Sequence, residues 1–151
     1  MATNKQRAAW CAIAVTCVSG FEGLRQAAYS DPVGIPTICF GETVGVQLGQ
    51  RATLDECHGM LADSLEIANR SVERCVSVPM TPERQAALVS FTYNVGGSAF
   101  CSSTLVRKIN AGQTYAACGE LLRWTMARGI TLPGLVKRRQ AEREMCIKGL
   151  A

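Results

Sequence analysis

The sequence predicts an α+β fold, mainly helical, in which one long helix joins a small β region to a helical lobe. Three observations predict it. A periodic apolar stretch near the start indicates a helix, a segment rich in Gly and Pro follows over residues 29–50, and a long capped apolar pattern covers residues 53–75. Shorter helical patterns complete the chain, so a cleft between the two lobes is the default ligand site.

The first helix is predicted in the charge-free stretch from Ala8 to Gly20. Its apolar residues recur at the spacing of one helical face: Trp10, Ile13, Ala14, Cys17, Val18 and Phe21. This pattern favours a helix docked on the core, with Trp10, Ile13, Cys17 and Phe21 buried. Because Lys5 and Arg7 precede it, the stretch also resembles an export or anchor segment, which stays open as the alternative. As a helix it would reach only about 20 Å, short of the roughly 30 Å of a bilayer core.

Local signals then predict the remaining elements in order. Dense Gly and Pro between short β-branched runs indicate strands and turns over residues 29–50. Thr53 with Glu56 forms a capping-box pattern that opens the long helix, and Thr81 with Pro82 opens the next one.

Gly96-Gly97 ends that helix, and three more helices are predicted at residues 104–110, 114–127 and 133–148. The chain shows no internal repeat and no long linker. We therefore expect residues 1–151 to form one domain, in which the lobe of residues 82–148 packs with the helix of residues 8–20.

Eight cysteines fit a protein that ends in an oxidising compartment. The chain has no CxxC pair and a single histidine, His58, so we expect no metal site, no redox motif and no cofactor. At least one disulfide is predicted, with Cys75–Cys101 as the first candidate because both residues follow helix ends. On the apolar faces of helices, Cys57, Cys118 and Cys146 are expected to be free buried thiols.

The formal net charge of +4 is concentrated near the end of the chain, where residues 123–148 hold seven basic and two acidic residues. Such a segment suits an anionic polymer, a membrane surface or a nucleic acid. Because aromatic residues make up only 6% of the chain and no nucleic-acid motif accompanies the basic end, we expect no nucleic-acid partner.

Two carboxylates and a hydroxyl stand where the first helix meets the β region, at Glu22, Asp31 and Thr37. Glu22, near a helix end against an apolar lobe, would keep a proton available for a leaving group, while Asp31 in a solvated turn would stay ionised. Glycoside hydrolysis needs this division between a protonated acid and a carboxylate. A Glu and an Asp nine residues apart occur by chance in most proteins, however, so spacing alone does not establish the chemistry.

The surrounding segments resemble the active-site segment of the phage-type lysozymes, the endolysins of glycoside hydrolase family 24. They read Glu22-Gly23-Leu24-Arg25, Ala28-Tyr29-Ser30-Asp31, Gly34-Ile35-Pro36-Thr37 and Gly41-Glu42-Thr43. The similarity continues in three later segments: Phe91-Thr92-Tyr93-Asn94-Val95-Gly96, Phe100-Cys101-Ser102-Ser103-Thr104-Leu105 and Leu135-Val136-Lys137-Arg138-Arg139. The resemblance covers nearly the whole chain from about residue 20 and implies a lysozyme-like fold.

Carried over residue by residue, the resemblance implies that Glu22 is the general acid, Asp31 holds or activates the attacking water and Thr37 positions that water. Tyr93 and Asn94 match cleft-lining positions, which implies contacts with sugars. For Tyr93 the alternative is packing between helices, and for Asn94 a C-terminal cap. If the reaction inverts the sugar, the two carboxylates stand about 6.5–9.5 Å apart.

One departure from the family pattern is Glu42, which stands where many members have His. We interpret it as a structural difference in a turn, although a third carboxylate leaves the proton balance of the site open. Arg138 or Arg139 could reach Glu22, but Arg138 and Glu142 are also spaced as a surface ion pair. The arginines are therefore left out of the predicted site.

The resemblance implies a phage endolysin that hydrolyses the β-1,4 bond between N-acetylmuramic acid and N-acetylglucosamine in bacterial peptidoglycan. The alternatives are a lytic transglycosylase acting on the same bond and a non-catalytic basic module that binds the cell wall. We expect a monomer that is made in the host cytoplasm and acts in the periplasm. Export uses either a holin-type pore or membrane contact of residues 8–20.

Overall fold

The computed structural model describes residues 3–150. They fold into helices and two short hairpins, which turns and loops connect. In chain order they are α1 (Asn4–Phe21), β1 (Arg25–Ser30), β2 (Pro36–Cys39), α2 (Leu54–Cys75), α3 (Pro82–Val95), α4 (Gly97–Cys101), α5 (Thr104–Asn110), α6 (Thr114–Glu120), β3 (Met126–Ala127), β4 (Ile130–Thr131) and α7 (Pro133–Ile147). The helices enclose a core in which α3 packs against α1, α2 and α7. The β1–β2 hairpin lies beside α2.

The helix starts follow the capping signals in the sequence. The Thr53 side chain accepts a hydrogen bond from the Glu56 N–H, and the Glu56 side chain accepts one from the Thr53 N–H, so the predicted capping box opens α2. Thr81 caps α3, with Pro82 as its first helical residue. These polar pairings satisfy N–H groups that the first helical turn leaves without partners, which is why both helices begin at the predicted residues.

The first helix is docked on the core. Trp10, Ala14 and Val18 are fully buried along one stripe of α1, which confirms the prediction that Trp10 is shielded. Phe21 is 38% exposed, so its predicted burial is wrong: α1 ends at this residue, and the buried stripe stops at Val18. Ile13 and Cys17 flank the stripe and are half-buried. Over residues 3–150, no helix is both long and apolar enough to cross a membrane.

The β region begins earlier than residue 29, because β1 already starts at Arg25 and pairs antiparallel with β2. Tyr29 faces Thr37 in this register, and the ladder is irregular between Arg25 and Tyr29. A tight turn after β2 carries Gly41 at φ 105, a left-handed conformation that favours glycine. The whole region therefore consists of one short hairpin and turns.

The helix predicted over residues 114–127 is wrong in its second half. Helix α6 ends at Glu120, a 3-10 turn follows, and β3 and β4 form a hairpin closed by Arg128 and Gly129. Arg128 and Gly129 both have positive φ, 52 and 76, as the two central residues of a tight hairpin turn do. Glu120, the last residue of α6, pairs with Lys108 of α5 at 2.6 Å. The short helix α4 was also not predicted.

Six of the eight cysteines form disulfides: Cys39–Cys57, Cys75–Cys101 and Cys118–Cys146. The first candidate pair is thus confirmed, whereas free thiols at Cys57, Cys118 and Cys146 were the wrong expectation. A half-cystine and a buried thiol look alike on the apolar face of a helix, since only the fold brings the partner near. The two free cysteines, Cys11 and Cys17, are half-buried on α1.

This pairing predicts the outcome of thiol counting on oxidised protein. Alkylation of denatured, unreduced protein with iodoacetamide should add two groups, at Cys11 and Cys17, because the other six sulfurs are bonded to each other. The same treatment after reduction should add eight. Intact-mass and peptide mass spectrometry give both counts, and eight adducts before reduction would contradict the assignment.

Candidate active site

Glu22 lies at the C-terminal end of α1, where its backbone N–H still donates to the Val18 carbonyl at 3.0 Å. Its side chain is 30% exposed, and its Oε1 accepts a hydrogen bond from Nη1 of Arg138 at 2.9 Å. The expectation that the Glu22 carboxyl has apolar surroundings is therefore wrong in one respect, since the guanidinium of Arg138 contacts it. The ion pair leaves Oε2 as the oxygen that can meet a ligand.

Arg138 belongs to a buried ionic network. Its Nη2 donates to the Ser90 carbonyl at 3.1 Å, and its Nε lies 3.6 Å from Oε2 of Glu142. Glu142 is fully buried, accepts a hydrogen bond from the Ser90 hydroxyl at 2.7 Å and pairs with Arg139. The interpretation of Arg138 and Glu142 as a surface pair is thus wrong, because helix spacing does not show which face of α7 is inside.

Arg139 extends this network to the end of α3. It donates from Nη2 to Oδ1 of Asn94 and from Nε to the Trp124 carbonyl at 2.9 Å. The side chain of Asn94 thus binds a guanidinium rather than a backbone carbonyl of its own helix. Asn94 also lines a cavity of about 340 Å³ together with Trp124, Leu132 and Arg139.

Asp31 and Thr37 lie together at the turn between β1 and β2. Oδ1 of Asp31 accepts hydrogen bonds from the N–H groups of Val33 at 2.9 Å and Ile35 at 2.8 Å, which orients the carboxylate. The Thr37 hydroxyl donates to the Ile35 carbonyl at 2.9 Å, and the residue is 4% exposed. Ile35 thus links the two predicted residues, and the Thr37 oxygen keeps its lone pairs for an incoming donor.

Tyr93 is half-buried on α3 and faces two carboxyl groups. Burial, together with the charges of Glu42 and Glu22, raises the pKa of Tyr93 to about 12. The phenol therefore keeps its proton at neutral pH and is a hydrogen-bond donor.

Glu42 is a further acidic residue of this group, which the sequence singled out only as a departure. Its Oε2 accepts a hydrogen bond from the Ser64 hydroxyl of α2 at 2.8 Å, while its Oε1 is buried and has no hydrogen-bond partner among residues 3–150. Burial raises the pKa of Glu42, the Ser64 hydrogen bond opposes this rise, and the charges of Asp63 and Glu22 add to it.

The structure thus pairs Glu22 with Arg138, and the charge of Glu22 acts on Glu42 and Tyr93. Asp31 and Thr37 lie together on the hairpin. The sequence does not predict the buried contacts of Arg138. The only sequence signal for them is the spacing of Arg138 and Glu142, four residues apart on α7. Within residues 3–150, no group of three His, Cys, Asp or Glu side chains could hold a metal ion.

Comparisons with known proteins agree with one another on the family. The family model described as phage lysozyme matches residues 19–142. A SAR-endolysin of Bacteriophage PS119 is 40% identical over 131 residues, covering 86% of this chain and 78% of the relative. A SAR-endolysin of Pseudomonas phage phiKMV is 34% identical over 146 residues, covering 94% and 91%. A crystal structure of a P22 lysozyme mutant superposes with a TM-score of 0.82 at 32% identity, covering 89% of this chain and 95% of that one.

Proposed function

This chain belongs to the phage lysozyme family, and on that premise we propose that Glu22, Asp31 and Thr37 carry out its reaction. The protein is a phage endolysin, a muramidase that hydrolyses the β-1,4 bond between N-acetylmuramic acid and N-acetylglucosamine in bacterial peptidoglycan. The observation that carries the residue assignment is the ion pair that fixes Glu22 at the end of α1.

Glu22 is the general acid in this proposal. Arg138 holds Oε1, so Oε2 carries the proton toward the glycosidic oxygen. As the bond between the anomeric carbon and that oxygen breaks, the proton passes from Glu22 to the leaving oxygen, which departs as a hydroxyl. A positioned acid of this kind accelerates the step by about 10²–10⁴.

Asp31 and Thr37 handle the attacking water on the other side of the sugar. Two backbone N–H groups hold Oδ1 of Asp31, so Oδ2 is left to accept a proton from water. The Thr37 oxygen accepts the second hydrogen bond of the same water, because its own proton is given to the Ile35 carbonyl. The water oxygen then bonds to the anomeric carbon while its proton passes to Asp31, which inverts that carbon.

Tyr93 and Asn94 contact the sugars in this scheme. The protonated phenol of Tyr93 can donate to a sugar oxygen beside Glu22. Arg139 occupies Oδ1 of Asn94, and the amide NH₂ remains to donate to a ligand in the neighbouring cavity. Both residues would thereby align the glycan along the cleft.

Product analysis tests the reaction. Digestion of purified peptidoglycan should give reducing N-acetylmuramic acid ends, and proton NMR during the first turnovers should show them in the α configuration, inverted from the β-linked substrate. A 1,6-anhydro end would identify a lytic transglycosylase instead. A β configuration at the earliest times would exclude the water-holding role of Asp31 and favour a covalent intermediate.

We also propose that the enzyme is a monomer that works in the periplasm. The names of its SAR-endolysin relatives support the compartment. Two export routes fit the first helix. Residues 8–20 act either as a weak membrane anchor before docking or as a core helix from the start, and the second case requires a holin-type pore. A fusion of residues 1–25 to a reporter active only in the periplasm separates the two routes.

A further inference from the structure

A tight turn follows β2 and brings the chain back against α2. Ile38 and Glu42 exchange two backbone hydrogen bonds, each of 2.9 Å, across the turn Cys39-Phe40-Gly41. Cys39 has φ 60 and Gly41 has φ 105, both in the left-handed region. Glycine adopts this region freely, whereas a residue with a Cβ atom is disfavoured there by about fivefold to thirtyfold in population. Cys39 therefore needs contacts from elsewhere in the fold to keep its conformation.

Two consecutive residues of the turn contact two consecutive residues of α2. Cys39 is bonded to Cys57, and both are fully buried. The ring of Phe40 stacks on that of His58, with ring centroids 5.5 Å apart. The disulfide is the covalent contact of the two and is attached to the left-handed residue itself. Without this bond, the backbone of Cys39 can return to an ordinary conformation, which changes the direction of the chain at the end of β2.

Thr37 lies two residues before Cys39 on the same strand. Its hydroxyl donates to the Ile35 carbonyl at 2.9 Å. The Asp31 carboxylate accepts hydrogen bonds from two N–H groups of the same hairpin. These bonds fix the shape of the hairpin, but they do not place it relative to Glu22 on α1. Because a two-stranded hairpin is only marginally stable by itself, its attachments to the rest of the molecule set where Thr37 lies.

The two strands of the hairpin are attached at different places. Strand β1 pairs with the segment just before α2, where the Ala28 N–H donates to the Gln50 carbonyl at 2.9 Å. Strand β2 is joined to α2 itself through Cys39. Since Thr37 belongs to β2, the disulfide is the covalent attachment nearest to it.

We propose that Cys39 is a positioning residue for Thr37: its bond to Cys57 holds the left-handed turn that keeps Thr37 aligned with the attacking water. The inference rests on the proposed role of Thr37 in holding that water. A misplacement of about 1 Å can cost about a hundredfold in rate. Loss of the bond should therefore lower kcat, while the proposed sugar contacts of Tyr93 and Asn94 on α3, and with them KM, stay nearly unchanged.

The test removes the disulfide without creating a free thiol, in the variant Cys39→Ala/Cys57→Ala. Initial rates on purified peptidoglycan at several substrate concentrations give kcat and KM, and circular dichroism confirms that the variant is folded. We expect kcat to fall about tenfold to a hundredfold and KM to change by less than about threefold.

The other two disulfides, Cys75–Cys101 and Cys118–Cys146, are the matched controls. Their cysteines are 26 and 28 residues apart in sequence, against 18 for the disulfide of the turn, so their removal should destabilise the fold at least as much. The corresponding alanine pairs should nevertheless keep kcat within about twofold when folded. If the three bonds only stabilised the fold, all three folded variants would keep their kcat.

Replacing Cys39 by glycine separates the conformation of the turn from the bond. Cys39→Gly/Cys57→Ala also lacks the disulfide, but glycine adopts φ 60 freely, so kcat should recover about threefold to tenfold over the alanine pair. Cys75 provides the control because it is the last residue of α2, where glycine gives no such benefit. Cys75→Gly/Cys101→Ala should therefore be no more active than Cys75→Ala/Cys101→Ala.

The outcomes separate this inference from the proposed function. If Thr37→Ala keeps its kcat, the proposed role of Thr37 is wrong and the inference fails with it. If Thr37→Ala is impaired while Cys39→Ala/Cys57→Ala keeps its kcat, the inference fails alone. Equal kcat values for the glycine and alanine pairs would also overturn it. Should the alanine pair not fold, the glycine pair decides, and a kcat below about a tenth of that of the unchanged enzyme contradicts the inference.

Combining the variants tests whether the bond acts through Thr37. When Thr37 is already alanine, removing the disulfide should cost less in kcat than it does in the unchanged enzyme, because the group that the bond positions is absent. A combined loss equal to the product of the two separate losses would show that the bond acts elsewhere and would overturn the inference.

Discussion

Replacing Glu22 by glutamine should abolish peptidoglycan hydrolysis, with a loss of about 10²–10⁴ in rate or more. The amide has the same shape and can still accept the hydrogen bond from Arg138, but it has no acidic proton for the leaving oxygen. Release of reducing ends from purified peptidoglycan measures the loss directly.

The control for this variant is its folding. The Glu22 side chain is partly exposed, so thermal unfolding of Glu22→Gln should stay close to that of the unchanged protein. Glu66→Gln makes the same chemical change on α2 and should keep full activity. If Glu22→Gln retains more than a tenth of the original rate while folded, the assignment of the general acid is wrong.

Replacing Glu142 by glutamine should lower the free energy of unfolding by about 3–5 kcal/mol. Glu142 is fully buried and pairs with two guanidiniums whose side chains are 5% and 1% exposed, those of Arg138 and Arg139. Burial raises the pKa of Glu142, but both arginines and the Ser90 hydroxyl oppose that rise. Without this carboxylate, the buried Arg139 loses its ion-pair partner and Arg138 keeps only its pairing with Glu22.

Glu144 provides the matched control, since it is exposed on the same helix. Glu144→Gln should change stability by less than about 0.5 kcal/mol. Urea unfolding followed by circular dichroism compares the two variants. The loss expected for Glu142→Gln is large against a total free energy of unfolding of about 5–15 kcal/mol. A Glu142→Gln variant within 1 kcal/mol of the unchanged protein would show that the network contributes little.

The sequence was informative where structure is local. Thr53 with Glu56, and Thr81 with Pro82, determine helix starts through contacts within one turn, so the starts of α2 and α3 were predictable. The stripe through Trp10 was visible for the same reason, because helical spacing reports a shared face.

The sequence was uninformative where contacts between distant segments determine the structure. Glu120 at the end of α6 pairs with Lys108 of another helix, and the exposure of Phe21 depends on where α1 leaves the core. The disulfide partners of Cys57 and Cys118 come from distant segments, so the residues next to these two cysteines in the chain do not predict the pairing.

The candidate site contains residues that the sequence predicts and contacts that it does not. Glu22, Asp31 and Thr37 were found through the resemblance of short segments, and their roles stay predictions. That Arg138 could reach Glu22 is one option that the sequence offers, but the contacts that hold it there involve Ser90 of α3 as well as Glu142, one turn along α7. The sequence singles out Glu42 only because many family members have His at this position. Nothing in the sequence connects Glu42 with Ser64.

The two attachments between the β region and α2 have a consequence for motion. The Cys39–Cys57 disulfide and the hydrogen bond from Ser64 to Glu42 both join the β region to the first half of that helix. Its second half is tied to the helical lobe by Cys75–Cys101. If the β region and the helical lobe move apart by a hinge, α2 must bend beyond Ser64, and the β region and the start of the helix move as one rigid body. Under the proposed assignment, Glu22 would stay with the helical lobe while Asp31 and Thr37 move with the hairpin, so closure of the cleft would set their alignment.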